Sequence, residues 1–148
     1  MRQSKQFKSN ERGATLVEFS IAALVFLTVM FGVIEFGRAL WVHNALADAA
    51  RRGARYASVH SSADADKVRN VVVYGDEDGG DTPMIPNLTP DDVDVVYSNW
   101  AVNGGTVTVS ITEYEFQFVI PIVGTTITMP TYSTSLPGES IGFVPDPI

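Results

Sequence analysis

Residues 13–34 read GATLVEFSIAALVFLTVMFGVI, and this stretch decides the fold. The part from residue 14 to residue 34 contains a single charged side chain, Glu18. As an α-helix it would be about 31 Å long, which matches the hydrocarbon core of a bilayer. The stretch therefore predicts a membrane-spanning helix. Because a carboxylate is costly in lipid, Glu18 is also a candidate functional residue.

Charge is distributed unevenly along the 148 residues, which carry a net charge of −7. The head, residues 1–12, is net +3, and residues 14–69 are net +1. From Asn70 onward there are eleven acidic residues and no Lys or Arg. The basic head predicts a cytoplasmic N-terminus and an extracytoplasmic C-terminal part. The acidic outer half argues against a nucleic-acid partner, since nucleic acid requires a basic face.

Several short motifs resemble a known protein family. Gly13 ends a basic leader, and together with Glu18 and Phe19 it resembles the processing motif of Flp-type (type IVb) prepilins. The segments VIEFGRALW (33–41) and AARRGARYA (49–57) are similar to those of TadE-like pseudopilins of the tight-adherence pilus machinery. Beyond these segments only a strand-rich character matches.

The resemblance implies a minor pilin or pseudopilin that acts in assembly or initiation of a tight-adherence pilus, and not an enzyme. A prepilin peptidase would cut between Gly13 and Ala14, and Glu18 with Phe19 would then set the register against a neighbouring subunit. The implied partners are other pilins, the peptidase, the inner-membrane assembly platform and membrane lipid. The chain would be a single-pass inner-membrane protein that stays there or enters an extracellular pilus.

Four alternatives remain open from the sequence. The apolar helix could be an uncleaved signal anchor, because generic topology rules do not require a cut at Gly13. The chain could be a membrane-anchored periplasmic binding module that never enters a filament, or part of a secretion pseudopilus. A membrane-tethered hydrolase is the enzymatic alternative, but no clustered acid/base set supports it.

The helix is expected to continue past the membrane to Val59, since no Pro interrupts it. Small and apolar residues recur at three- and four-residue steps along this stem, which predicts one packed face: Val42, Ala45, Leu46, Ala49, Gly53, Tyr56 and Ala57. The opposite face is expected to be solvated, with Asp48 paired to an Arg one turn on: His43, Asp48, Arg51, Arg52 and Arg55. Glu35 and Arg38 should pair at the outer membrane edge, where Trp41 fits an interfacial belt.

The remainder predicts an α+β fold, with the stem helix packed on a small antiparallel sheet of about three strands. A short helix over residues 63–73, capped by Ser61 or Ser62, precedes a Pro- and Gly-rich loop over residues 75–92. Strands are expected at 93–97, 106–112 and 125–133, with a hairpin turn at Asn103-Gly104 and a change of phase near Glu113.

The predicted division of the chain is a leader at 1–13, a transmembrane and stem helix at 14–60, an α+β domain at 61–136 and a flexible tail at 137–148. No cofactor or metal site is expected. The chain has no Cys, and His43 and His60 are expected to be solvated stem residues. The acidic loop at 76–81 lacks EF-hand spacing, so a solvated loop is favoured over a Ca²⁺ site.

Overall fold

The computed structural model describes residues 8–99, 105–119 and 126–138, with side chains from residue 13 onward. The chain divides into an N-terminal unit, Met1–Arg38, and a C-terminal unit, Ala39–Ile148. The described elements are α1 (Lys8–Ser58), a 3-10 turn (Ser62–Asp64), α2 (Ala65–Val73), a second 3-10 turn (Pro90–Asp92), and strands β1 (Val93–Ser98), β2 (Thr106–Ile111), β3 (Glu115–Gln117), β4 (Thr126–Thr128) and β5 (Tyr132–Pro137). An α+β fold with a long N-terminal helix is therefore confirmed.

Helix α1 covers both the predicted membrane segment and the predicted stem. It ends at Ser58, one residue before the expected Val59. Its start differs from the expectation, because residues 8–12 of the polar head are helical. Extending an existing helix by one residue needs no new nucleation, so a polar head without Pro can join it at little cost. Residues 1–7 lie outside the described part of the chain.

The second helix forms where the sequence indicates it. The Ser61 hydroxyl accepts a hydrogen bond from the backbone N–H of Ala63 at 3.2 Å, which caps the 3-10 turn that leads into α2. Helix α2 ends at Val73, and Gly75 follows with a φ of +80°. Glycine adopts this left-handed conformation without a Cβ penalty, so it suits the position after a helix.

The strands form two antiparallel sheets rather than one. Three strands lie in the order β1-β2-β5, and β3 pairs with β4 in a separate two-stranded sheet. Ser98 pairs with Thr106 across β1 and β2, and Ile111 pairs with Tyr132 across β2 and β5. The predicted Asn103-Gly104 turn lies outside the described residues.

The predicted strand over residues 125–133 is wrong, because that segment contributes to two strands in different sheets. Pro130 lies between β4 and β5 and lacks the N–H that a continuous ladder would require. Strand β5 also extends to Pro137, the first residue of the expected flexible tail. The backbone N–H of Gly138 extends the pairing by donating to the Gly105 carbonyl at 2.6 Å.

The core of the C-terminal unit lies between the stem part of α1, α2 and the inner face of the larger sheet. Small side chains of α1 and alternate valines of β2 are fully buried in one cluster, as are residues of α2: Leu46, Ala49, Ala50, Ala54, Ala57, Val68, Val72, Val107 and Val109. The predicted packing of the sheet on the emergent helix is confirmed. Small residues on α1 allow this close approach of backbones.

The expected change of strand phase occurs at Glu113, which has a φ of +59°. Before it, Val109 and Ile111 are buried, and after it Tyr114 and Phe116 are buried. Because Glu113 is left-handed, the side chains that face the core change from odd-numbered to even-numbered residues. Without this shift the side chains of Tyr114 and Phe116 would face solvent.

Candidate anchoring and assembly site

The N-terminal unit presents apolar side chains to its surroundings on every face of the helix. Within the described chain, one helix is long and apolar enough to cross a membrane, and its most apolar window is entirely unburied. Phe19, Leu24 and Phe26 are each about two-thirds exposed or more. Water is unfavourable for such a surface, so lipid or neighbouring helices are its natural environment. This helix provides a candidate single-pass membrane anchor.

Two hydroxyl groups in the span are satisfied within the helix. The Ser20 hydroxyl donates to the Leu16 carbonyl at 2.7 Å, and the Thr28 hydroxyl donates to the Leu24 carbonyl at 2.8 Å. Bonding to the carbonyl four residues earlier lets Ser and Thr lie in an apolar environment. These two side chains therefore do not prevent lipid burial.

Glu18 differs from these hydroxyl residues. It is exposed on α1, and no hydrogen bond or ion pair joins it to another residue whose side chain the structure describes. Gly13 and Ala14, one turn earlier, are exposed and helical. Nothing lies within 4 Å of a Cβ built on Gly13. Phe19 is 71% exposed. The four predicted processing and register residues are therefore all accessible along one short stretch of helix.

The predicted pair at the outer end of the span is confirmed in its geometry. The Arg38 guanidinium contacts Glu35 Oε2 through both Nε and Nη2, each at 3.1 Å. Glu35 is only 7% exposed, and a buried carboxylate needs such a partner. Trp41, one turn further, is 56% exposed. An exposed indole at this place on the helix suits the interfacial belt predicted from the sequence.

Arg52 was expected on the solvated face of the stem, but it binds α2 instead. Its guanidinium donates to the Val71 carbonyl through Nε and to the Val72 carbonyl through Nη2, both at 3.1 Å. These carbonyls belong to the last turn of α2, and the Val71 carbonyl also accepts the backbone N–H of Gly75 at 3.1 Å. A cation at a helix C-terminus is also favoured by the helix dipole. Arg52 therefore fastens α2 to α1.

Tyr56 and Glu77 form a second polar connection between α1 and the loop after α2. The Tyr56 hydroxyl donates a short hydrogen bond to Glu77 Oε2. This hydrogen bond, with burial and the negative charge of Glu77, raises the pKa of Tyr56 to about 12. The Asn70 side chain donates to the Glu77 carbonyl at 3.0 Å, and Lys67 Nζ lies 4.0 Å from Glu77 Oε2. The acidic loop is thereby held against both helices.

The two histidines were expected to be solvated stem residues; His43 is exposed and His60 is half-buried, and each also makes contacts that the sequence did not predict. His43 Nδ1 lies 2.7 Å from the Tyr132 hydroxyl, and the two rings meet edge to face. The His60 ring stacks on Tyr56 with centroids 3.8 Å apart, and its Nδ1 donates to the Tyr56 carbonyl at 2.7 Å. Both histidines therefore have structural contacts. His43 in particular joins α1 to the start of β5.

The acidic loop contains a local turn rather than a ligand set. Asp76 Oδ1 accepts the backbone N–H of Asp78 at 2.9 Å, which is an Asx turn. Among the residues that the structure describes, no group of three His, Asp or Glu side chains is placed to hold a metal ion. The contacts of Arg52, Glu77 and His43 gave no sequence signal, because their partners lie 19 to 89 residues away.

Comparison with known families supports the reading of the N-terminal half. The family model of TadE-like proteins matches residues 13–55. The match confirms the resemblance to TadE-like proteins over these residues, which hold the span and most of the stem. No curated protein and no solved structure matches the chain.

Proposed function

We propose that this protein is a minor subunit of a tight-adherence (Flp-type) pilus, with a role in pilus assembly or initiation. The observation that carries the proposal is the TadE-like match over residues 13–55. That segment includes the candidate processing site at Gly13 and the exposed Glu18. The protein acts through contacts with other pilins and with the inner-membrane assembly platform rather than by catalysis.

The C-terminal unit supports a minor rather than a bulk role. Bulk Flp pilins, as the resemblance implies, are little more than the helix, whereas this chain adds a unit with two sheets and its own core. That unit is also strongly acidic from Asn70 onward. Many copies placed side by side would repel one another. A few copies at a tip or an assembly base avoid this cost.

Processing and assembly are linked through the new N-terminus. A prepilin peptidase that cuts after Gly13 frees an α-amino group on Ala14, four residues from Glu18. In a stack of subunits, the Glu18 carboxylate of one copy can pair with the Ala14 ammonium of its neighbour inside an apolar bundle. Any other register leaves a charge buried and unpaired, at a cost of about 3–5 kcal/mol. One ion pair per contact therefore selects the register.

The proposal also fixes a location and an orientation. The basic head stays on the cytoplasmic side, and the span anchors the chain in the inner membrane. The C-terminal unit is then extracytoplasmic, where a growing pilus can incorporate it.

Pilus display by cells that lack the protein tests this proposal. We expect display to be lost without the chain and restored by a tagged copy that co-purifies with sheared pili or with the assembly platform. A matched copy with Ser20→Ala, which removes a hydroxyl satisfied within its own helix, should also restore display. Normal pili without the chain, with the tagged copy found only in membranes and without pilin partners, would favour the anchored binding module.

A further inference from the structure

We infer that the first turns of α1 must unwind before the chain can be cut after Gly13, so that the helical stability of residues 8–14 sets the rate of processing. The inference rests on the proposed function, because it takes cleavage between Gly13 and Ala14 as its starting point. It adds a conformational step to that cleavage. A leader without regular structure would present the bond directly, whereas a helical leader does not.

The bond between Gly13 and Ala14 lies within a helix. Helix α1 begins at Lys8, so more than one turn precedes the bond, and the apolar run follows it. In an α-helix each carbonyl accepts the N–H of the residue four positions on. The Gly13 carbonyl is therefore paired with the N–H of Val17. The N–H of Ala14 is paired in the same way with the carbonyl of Asn10.

These two hydrogen bonds oppose hydrolysis of the amide. Hydrolysis adds one water across the bond, which leaves a carboxyl group on Gly13 and an amino group on Ala14 and changes no oxidation state. Negative charge develops on the carbonyl oxygen during attack, and a peptidase stabilises it with its own donors. In the helix this oxygen already accepts an N–H of the same chain. The peptidase therefore needs a chain in which this part of α1 is open.

The part of α1 before the cut is also the part that opens most easily. Residues 8–13 read KSNERG, and Ser, Asn and Gly are weaker helix formers than Ala or Leu. Nothing lies within 4 Å of a Cβ built on Gly13, so packing does not require the glycine, which weakens the helix. Unwinding as far as Ala14 leaves only the four unpaired N–H groups with which any helix begins.

The rate of cleavage should follow the population of the opened state. Proteolysis tracks this population when opening and closing are fast compared with cleavage. Helix–coil relaxation takes about 1 μs or less, whereas enzymes turn over about 1–1000 times per second. Substitutions that strengthen or weaken the helix before the cut should therefore change the rate, even where the two residues that flank the bond stay the same.

The test uses two double variants at the same positions. Ser9→Ala with Asn10→Ala raises the helix propensity, and Ser9→Gly with Asn10→Gly lowers it. Both remove the same two polar side chains and leave the charge of the leader unchanged. A peptidase that recognises those side chains would therefore respond to both variants in the same direction.

The full chain of each variant is reconstituted in vesicles with purified prepilin peptidase, and the fraction cut is followed over time by intact mass. Hydrogen exchange of the Ala14 amide, measured without peptidase, reports the opened population independently. We expect the alanine variant to be cut about fivefold more slowly than the parent chain and the glycine variant about threefold faster. The Ala14 amide should exchange in the same order.

Equal rates for the two variants, or changes in the same direction, would overturn the inference and leave side-chain recognition as the explanation. A parent chain that stays uncut would overturn both this step and the proposed processing. That result is distinct from a parent chain that is cut at a rate indifferent to the helix propensity of its leader, which would contradict the unwinding step alone.

Discussion

Gly53 of α1 and Val72 of α2 lie so close together that a Cβ added to Gly53 would overlap Val72 Cγ2. Val72 is fully buried, and a β-branched side chain in a helix has one strongly preferred rotamer. Val72 therefore cannot move aside easily. The close approach of α1 and α2 therefore requires glycine at residue 53, although a glycine within a helix costs about 1 kcal/mol.

We expect Gly53→Ala to destabilise the C-terminal unit. The overlap with Val72 costs about 1–3 kcal/mol, which more than offsets the helix propensity gained by removing a glycine. Thermal unfolding followed by circular dichroism in detergent measures the change. Gly37→Ala is the matched control, since nothing lies within 4 Å of its Cβ, and it should leave the transition unchanged or raise it. An unchanged transition for Gly53→Ala would contradict the close packing.

Arg52 should matter more for stability than the other stem arginines. Arg52→Ala leaves the Val71 and Val72 carbonyls without this donor, and hydrogen bonds to charged groups contribute about 1.5–3 kcal/mol. Arg51→Ala removes only an exposed ion pair with Asp48, which contributes about 0–1 kcal/mol. Urea unfolding of the two variants measures the difference. Equal losses would mean that Arg52 does not fasten α2.

These residues show how far the sequence determines the fold. The helical period of α1 and the strict alternation of β2 were readable because each depends on neighbours in sequence. Even the phase shift near Glu113 left a signal in the spacing of Tyr114, Phe116 and Phe118. The division at Pro130 was missed, because the choice of a partner strand depends on tertiary contacts.

The residues of the candidate site likewise differ in how far the sequence alone could predict them. Gly13 and Glu18 were singled out from the sequence, because the roles proposed for them depend on spacing along one helix, and the structure adds only that both residues are exposed. The contact of Arg52 with α2 could not be found, since an Arg on a helix has the same local pattern whether it is solvated or bonded to distant carbonyls. The His43–Tyr132 contact spans 89 residues and leaves no local signal.

Tyr56 should make the stability of the folded chain depend on pH in the alkaline range. Its pKa is raised to about 12 in the folded chain, compared with about 10 when unfolded. A raised folded pKa contributes stability that is fully present below pH 10 and is lost as the pH rises towards 12. Tyr56→Phe should therefore lose less stability over this interval than the parent chain.

Glu77→Gln provides the matched variant for this titration. It removes the charge that holds the Tyr56 proton, so the pKa of Tyr56 should fall towards its ordinary value. Tyrosinate absorbance measured during an alkaline titration follows the change. A titration curve identical to that of the parent chain would exclude the Tyr56–Glu77 hydrogen bond as the cause.

Glu18 should be required for assembly but not for insertion. Glu18→Ala removes a charge from an apolar helix, so membrane levels should be equal or higher. The Ala14 ammonium of a neighbouring subunit would then lack its partner, and association should weaken by about a hundredfold or more. Pilus display and co-purification with other pilins measure the effect.

Glu18→Gln separates charge from shape. The amide keeps the size of the side chain but loses its charge, so it should fail in assembly as the alanine variant does. A Glu18→Ala chain that is inserted, trimmed and displays normal pili would show that Glu18 is only an interfacial residue.

The intact mass of the protein purified from its native membrane tests the central claim most directly. The account predicts a chain that begins at Ala14. It also predicts that Gly13→Leu retains the leader, although the fold leaves space for a side chain at that position. A native chain that still carries residues 1–13 would contradict processing and favour an uncleaved signal anchor.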